Sequence, residues 1–286
     1  MSYIEFGIIK ENKKKVYETK KGSMYDDYML SRYFNDIYLL SLYKQKKDIV
    51  NITKYIHDKK DLKANIINLI LLSIHSNDDK FYEFGFTLLE KIQFFRIIID
   101  LFDFKDVELK KLKFCGCDIS EKFMYFANNF YKDYNVSLAK KVCIKGEGGL
   151  KDSIFFSKGV TLLYEKNNIH LLDLIIKNSK CGSFDFSVGK DRKIKKLLET
   201  GCQLYYPSFR DFQEVMKKNK SKKFIFRNIK SIKDKVYFEV VYGNKETIDK
   251  FNNKLSLLNE KHKKSNLPLK AFDLNTKFCE KLEIKK

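Results

Sequence analysis

Glu83 and Gly85, in KFYEFGFTLLEKIQFF (80–95), and Asp118, in KFCGCDIS (113–120), are residues whose types and spacing suit a bound ligand. Each stands where a short apolar run gives way to a turn. The chain has only twelve glycines, and one placed here lets the backbone approach a ligand with no Cβ in the way. A carboxylate at the end of the next strand can accept both hydroxyl hydrogens of a ribose. The separation between Glu83 and Asp118 exceeds the roughly 20 residues of a dinucleotide fingerprint. A long helical run over 87–104 and the segment KDVELKK account for the excess. Plainer readings exist for each residue alone. Gly85 also suits an ordinary strand-end turn, and Asp118, just before Ser120, suits a helix N-terminus through the macrodipole.

The elements that must position these residues follow from periodicity. Over 24–76 the large residues recur three or four apart, beginning Tyr25, Met29, Tyr33, Ile37 and Leu40, which predicts helix. SNDD (76–79) ends it with turn chemistry. The pattern then alternates. FYEF, LKFCGCDI, KKVCIK, DSIFFS and GSFDFSV read as strands, with helices over TLLEKIQFFRIIIDLFDF, SEKFMYFANNFYKDY and NNIHLLDLIIKNS. After Pro207, SFRDFQEVMKKN reads as a helix, KFIFRNIKSI and KVYFEVVYG pair across KD, and 245–264 is a charged helix. This predicts an α/β fold, a largely parallel sheet with helices on both faces. The expected division is an N-terminal helical cap (1–79), the sheet domain (80–244), and a C-terminal helix with a tail (245–286). TGCQLYYPSF (200–209) reads as a loop.

Composition bounds the function. With 57 Lys and Arg against 37 Asp and Glu, the 286-residue chain carries a formal charge of +20. Such a balance ordinarily points to nucleic acid, phosphate or an anionic surface. Here lysine recurs through almost every segment beside Ile, Asn, Phe and Tyr, the usage of an AT-rich genome, so part of the charge belongs to solvated faces. The N-terminus has no apolar core of signal-peptide length, and IINLILLSI (66–74) is too short to span a bilayer. Six cysteines form no regular framework, which suits reduced thiols and a cytoplasmic location. Cys115-Gly-Cys117 lacks a second Cys/His pair at zinc-like spacing, so no metal is expected.

YEFGFT followed by GCDISEKFMYFA resembles motif I and the acidic post-I loop of S-adenosylmethionine-dependent methyltransferases with the Rossmann-like fold. DSIFFSKGVTLLYEKNNIHLLDLIIKNS is similar to that family's fourth-strand region, and the hairpin over 223–242 to its reversed last strand. The resemblance covers about 80–243. It implies S-adenosylmethionine as cofactor, with Glu83 and Gly85 at the methionine part and Thr87 adjoining. It places Asp118 on the ribose beside Ile119, and Ser157, Lys158 and Gly159 along the floor. In this family an N-terminal helical segment often covers donor and acceptor, which brings in Tyr25, Tyr28 and Arg32. Motif I here lacks its second and third glycines, and no N-P-P-[YF] motif is present, which leaves oxygen acceptors open. The helical cap, the reduced motif I and FFSKGVTLLY are similar to methyltransferases encoded among bacterial surface-polysaccharide genes. A sugar hydroxyl or a phosphate- or phosphoramidate-type oxygen, free or nucleotide-linked, is the acceptor class this implies.

Each remaining candidate has a packing reading beside the functional one. Lys158 is a floor residue or a surface lysine. His170, within an apolar helical run, reads as a core histidine rather than a base. Tyr25, Tyr28 and Arg32 contact the acceptor or pack the helix, and Tyr206 before Pro207 is substrate rim or packing. No general base is singled out. Two rivals stand beside the small-acceptor enzyme: an RNA-modifying methyltransferase, for which the charge would be functional and binding salt-dependent, and a non-catalytic binding protein.

Overall fold

The computed structural model describes residues 45, 60–85, 94–95, 97–100, 102–104, 107–108, 111–117, 136–139, 145, 149–158, 161–197 and 203–264. Thr87, Asp118, Ile119, Gly159, Tyr25, Tyr28 and Arg32 lie outside them.

Helix α1 (Lys60–Ser76) is apolar on most of its circumference, as a helix inside a domain must be. Ile66, Ile67, Leu69, Ile70, Leu71 and Leu72 are all buried. After it, five strands run parallel: β1 (Lys80–Phe84), β2 (Lys113–Cys117), β3 (Val136–Ala139), β4 (Ile154–Ser157) and β5 (Cys181–Gly189). The centres of β1, β2 and β4 are continuously buried, and β5 is buried on either side of its half-buried Asp185, as expected where helices cover both faces of a parallel sheet. A small antiparallel pair follows, β6 (Ile194–Leu197) with β7 (Gln203–Tyr206). Strands β8 (Lys223–Ile232) and β9 (Lys235–Gly243) then close the main sheet, β9 running antiparallel to both β5 and β8. The order across the seven-stranded sheet is β3-β2-β1-β4-β5-β9-β8. The fold is therefore a Rossmann-like α/β sheet with a reversed last strand.

Strand alternation sends side chains to two cores. On one face Phe81, Phe114, Ile154, Phe156 and Val241 meet α1, the buried Phe94, Phe95, Ile97 and Ile98, and helix α4 (Lys245–Lys264). The rings of Phe81 and Phe114 stack at 5.5 Å, and Phe95 sits edge-on to each at 5.7 and 5.6 Å. On the other face Tyr82, Phe155, Phe184, Phe186, Val240 and Tyr242 meet helix α2 (Asn168–Asn178), helix α3 (Phe209–Lys218) and β7. α3 starts at Ser208 with a reciprocal cap. The Ser208 hydroxyl accepts from the Asp211 N–H at 3.2 Å, and the Ser208 N–H donates to Asp211 Oδ2 at 3.0 Å.

VSLA, Val136–Ala139, forms β3 and pairs with Phe114–Cys117 in register, and the strand expected over KKVCIK lies, but for Lys145, outside the described residues. One expectation is revised. TGCQLYYPSF is not all loop, since Gln203–Tyr206 is a strand. α1 and α4, on either side of the strands in the chain, both supply the core that also takes in β1 and β4.

Candidate functional site

From β1 the chain winds outward through β2 to β3, then returns to place β4 on β1's other side. The winding direction thus switches between β1 and β4, and in such sheets the crevice outside the carboxyl ends at the switch is where ligands bind. Three strands end level there, with Glu83 opposite both Gly116 of β2 and Phe156 of β4.

The residues at this edge have defined roles. Gly85 has φ 68°, the left-handed region, which costs a residue with a Cβ roughly 1–2 kcal/mol. Its N–H donates to the Cys117 carbonyl at 3.0 Å, so the turn out of β1 is tied to the end of β2. What Gly85 offers a ligand is therefore bare backbone rather than a donor. Glu83 is fully buried, on the face shared with Phe81 that α1 covers. Ser157, 1% exposed, donates from its hydroxyl to the Phe84 carbonyl at 3.3 Å and joins the ends of β4 and β1. Lys158 follows, half-buried. Glu83, Gly85, Ser157 and Lys158 are thus brought to one edge, and Asp118 directly follows Cys117 in the chain.

Other candidates are placed elsewhere. Tyr206 is 3% exposed within the α3-side core, with Lys235 Nζ 4.5 Å from its ring centroid, so its ring is packed inside rather than presented at a rim. His170 is exposed, because α2 buries Asn168, Leu172, Ile175 and Ile176 instead. It is not a core histidine.

Two features escaped the sequence reading. Arg227 and Glu239 face each other across β8 and β9 and form an ion pair at 2.8 Å, with side chains 0% and 5% exposed. The Glu239 carboxylate also accepts from Asn68 Nδ2 of α1 at 2.8 Å, and the guanidinium lies 5.8 Å from the Phe251 ring of α4. Wholly buried, this group joins elements rather than meeting a substrate. The second feature is a cavity of about 320 Å³ between the end of α1, the Phe102–Phe104 turn and α4, lined in part by His75, Asp103, Lys254 and Leu257. It lies toward the amino ends of β1 and β2, away from the switch point. Among the described residues no group of three His, Cys, Asp or Glu is arranged to hold a metal, and no helix is long and apolar enough to cross a membrane.

No protein-family model matches the chain, and no curated protein matches it. Solved structures of similar shape include the N-terminal domain of EvdMO1 with S-adenosylhomocysteine bound, at 10% identity and a TM-score of 0.41, covering 60% of this chain and 77% of that one. Another is the Burkholderia thailandensis 1,6-didemethyltoxoflavin N1-methyltransferase with 1,6-didemethyltoxoflavin and S-adenosylhomocysteine, at 9% and 0.37, covering 73% and 86%. A third is the plantazolicin methyltransferase BpumL in complex with S-adenosylhomocysteine, at 8% and 0.39, covering 83% and 100%.

Proposed function

We propose that this chain is an S-adenosylmethionine-dependent methyltransferase acting on an oxygen of a small acceptor. The acceptor class is a sugar hydroxyl or a phosphate- or phosphoramidate-type oxygen, of the kind used in bacterial surface-polysaccharide synthesis. The observation that carries the reading is the switch-point edge, where Gly85 turns left-handed beside the ends of β2 and β4. A bulky cofactor needs backbone without a Cβ at that point, and the residues present fit it. The cofactor supplies a methyl group on a sulfonium, already a good leaving group.

The chain's part in this proposal is binding and orientation, which supply most of the acceleration when the leaving group is good. Gly85 provides bare backbone, Asp118 accepts the two ribose hydroxyls, and Ser157, Lys158 and Gly159 form the floor. Tyr25, Tyr28 and Arg32 cover the acceptor, the planar guanidinium of Arg32 suiting a phosphate or carboxylate.

The test is a melting series with S-adenosylhomocysteine. A ligand that binds only the folded state stabilises by mass action, about 2.7 kcal/mol at a hundredfold excess over Kd. Wild type should melt higher with ligand. Asp118→Ala should melt as wild type does without ligand and show no shift, since each charge-assisted hydrogen bond is worth about 1.5–3 kcal/mol. No shift in wild type, with calorimetry also silent, sinks the enzyme reading.

A further inference from the structure

The edge of the sheet that holds the switch point carries a second feature further along. β5 stays paired with β9 from Asp185 to Gly189, after its pairing with β4 has ended at Phe184. At about 3.3 Å per residue, β5 reaches about 16 Å beyond the level of Ser157. The turn after it is tied to both neighbouring hairpins. The Gly189 N–H donates to the Pro207 carbonyl at 2.8 Å, and the Lys190 N–H to the Asp234 carbonyl at 2.9 Å.

These tips are basic. Lys190, Arg192, Lys193, Lys195 and Lys196 are all exposed, with Asp191 the one acid among them. The β8–β9 turn adds exposed Lys230 and Lys233, with Asp234. Some exposed lysines elsewhere pair with a glutamate three or four residues away, as Lys111 does with Glu108, Lys217 with Glu214 and Lys250 with Glu246. In this group Lys193 meets an acid, Asp211 at 3.6 Å, and it stays 74% exposed. The tips are also apolar. The large hydrophobic side chains exposed among the described residues are Leu197 at 69%, Ile232 at 53% and Leu257 at 61%. The first two stand within this basic stretch.

We propose that the β6 and β8–β9 tips dock on an anionic membrane surface. Lysines near such a surface are attracted to its headgroups, and aliphatic side chains gain by entering the boundary between headgroup and acyl chain. A single-stranded nucleic acid would also draw the cations, but it rewards aromatic rings on which bases stack. The exposed groups here are a leucine and an isoleucine. Docking would turn the carboxyl edge, with its crevice, toward the bilayer. The inference does not rest on methyl transfer.

Flotation of the full chain with vesicles tests it, comparing phosphatidylcholine alone with equal parts phosphatidylcholine and phosphatidylglycerol. Binding is expected to the anionic vesicles only, and to fall as salt rises. Reversing two charges, in Lys195→Glu with Lys196→Glu, should weaken it at least about tenfold. Leu197→Ser with Ile232→Ser, at unchanged charge, should weaken it severalfold. All four positions are exposed, so unchanged melting curves are expected for both variants. No binding to anionic vesicles at low salt overturns the proposal. So does single-stranded RNA binding that the lysine pair abolishes, if the aliphatic pair leaves vesicle binding untouched. The melting shift with S-adenosylhomocysteine is a separate readout, so failure of either reading is seen by itself.

Discussion

At the scale of single residues, Gly85 is where turn and proposed site meet, and two substitutions separate these roles. Gly85→Ala meets the left-handed penalty and should lose about 1–2 kcal/mol in a urea titration, whereas Gly85→Asn should recover much of that, since asparagine tolerates the region. If bare backbone is what the ligand needs, the asparagine variant regains stability and not affinity for S-adenosylhomocysteine. Recovery of both would make Gly85 a turn residue alone. Gly85 was legible in the sequence because a glycine closing an apolar run is a local signal. Arg227 and Glu239 were not. Period-two alternation tells which residues share a face, and says nothing of whether a helix from 170 residues away will cover it. Only the placement of Asn68 and Phe251 turns a polar stripe into a buried ion pair. The cysteines were legible through their apolar surroundings: Cys115, Cys117 and Cys181 are buried, and burial pushes the Cys181 thiol up to about 12.

At the scale of elements, the Arg227–Glu239 pair fastens the β8–β9 hairpin beneath α1. Removing one partner leaves the other charge buried, so Glu239→Ala should cost about 3–5 kcal/mol in equilibrium unfolding. Replacing both residues with methionine should cost less than that single change, because no orphaned charge remains. Equal losses would mean that the pair contributes through packing alone. The strongly patterned elements, β1, β2, β4, β5, α2, α3 and the β8–β9 hairpin, were readable from period and turn chemistry. The β6–β7 pair was hidden because Lys195, Lys196 and Leu197 all face solvent in a strand only four residues long, with no apolar alternation to mark it. His75 belongs to this scale too, as the helix-end residue of the amino-edge cavity. Burial, then Lys250 and Lys254, hold its imidazole below the ordinary 6.5, and its Nε2 has no hydrogen-bond partner among the described residues. The unfolded chain therefore takes up this proton first as pH falls. Stability is full above about 6.5 and declines as pH drops through the lower folded value. Melting followed from neutral to mildly acidic pH should show that slope, and His75→Gln should flatten it.

At the scale of the whole molecule, the sequence pattern revealed the layers. α1 and α4 lie outside the alternating strands in the chain, and packing makes them halves of one cover. The Asn68–Glu239 hydrogen bond spans 171 positions, and that from the Thr247 hydroxyl to the His75 carbonyl spans 172. During synthesis this arrangement sets a wait. The apolar α1 leaves the ribosome before the sheet, and its partner helix Lys245–Lys264 is made only after every strand among the described residues. Contacts between such distant parts slow folding and prolong the life of sticky intermediates. A nascent chain halted near residue 244 would expose Ile66, Ile70 and Ile97 where Phe251, Leu255 and Leu258 complete the same core. Ending the coding region after Gly243 should therefore yield aggregates or a chaperone-bound product instead of a smaller folded protein. A soluble, cooperatively melting truncation would show that α1 finds another cover. Helix α4, by this account, is the latch whose arrival lets the core beneath α1 close.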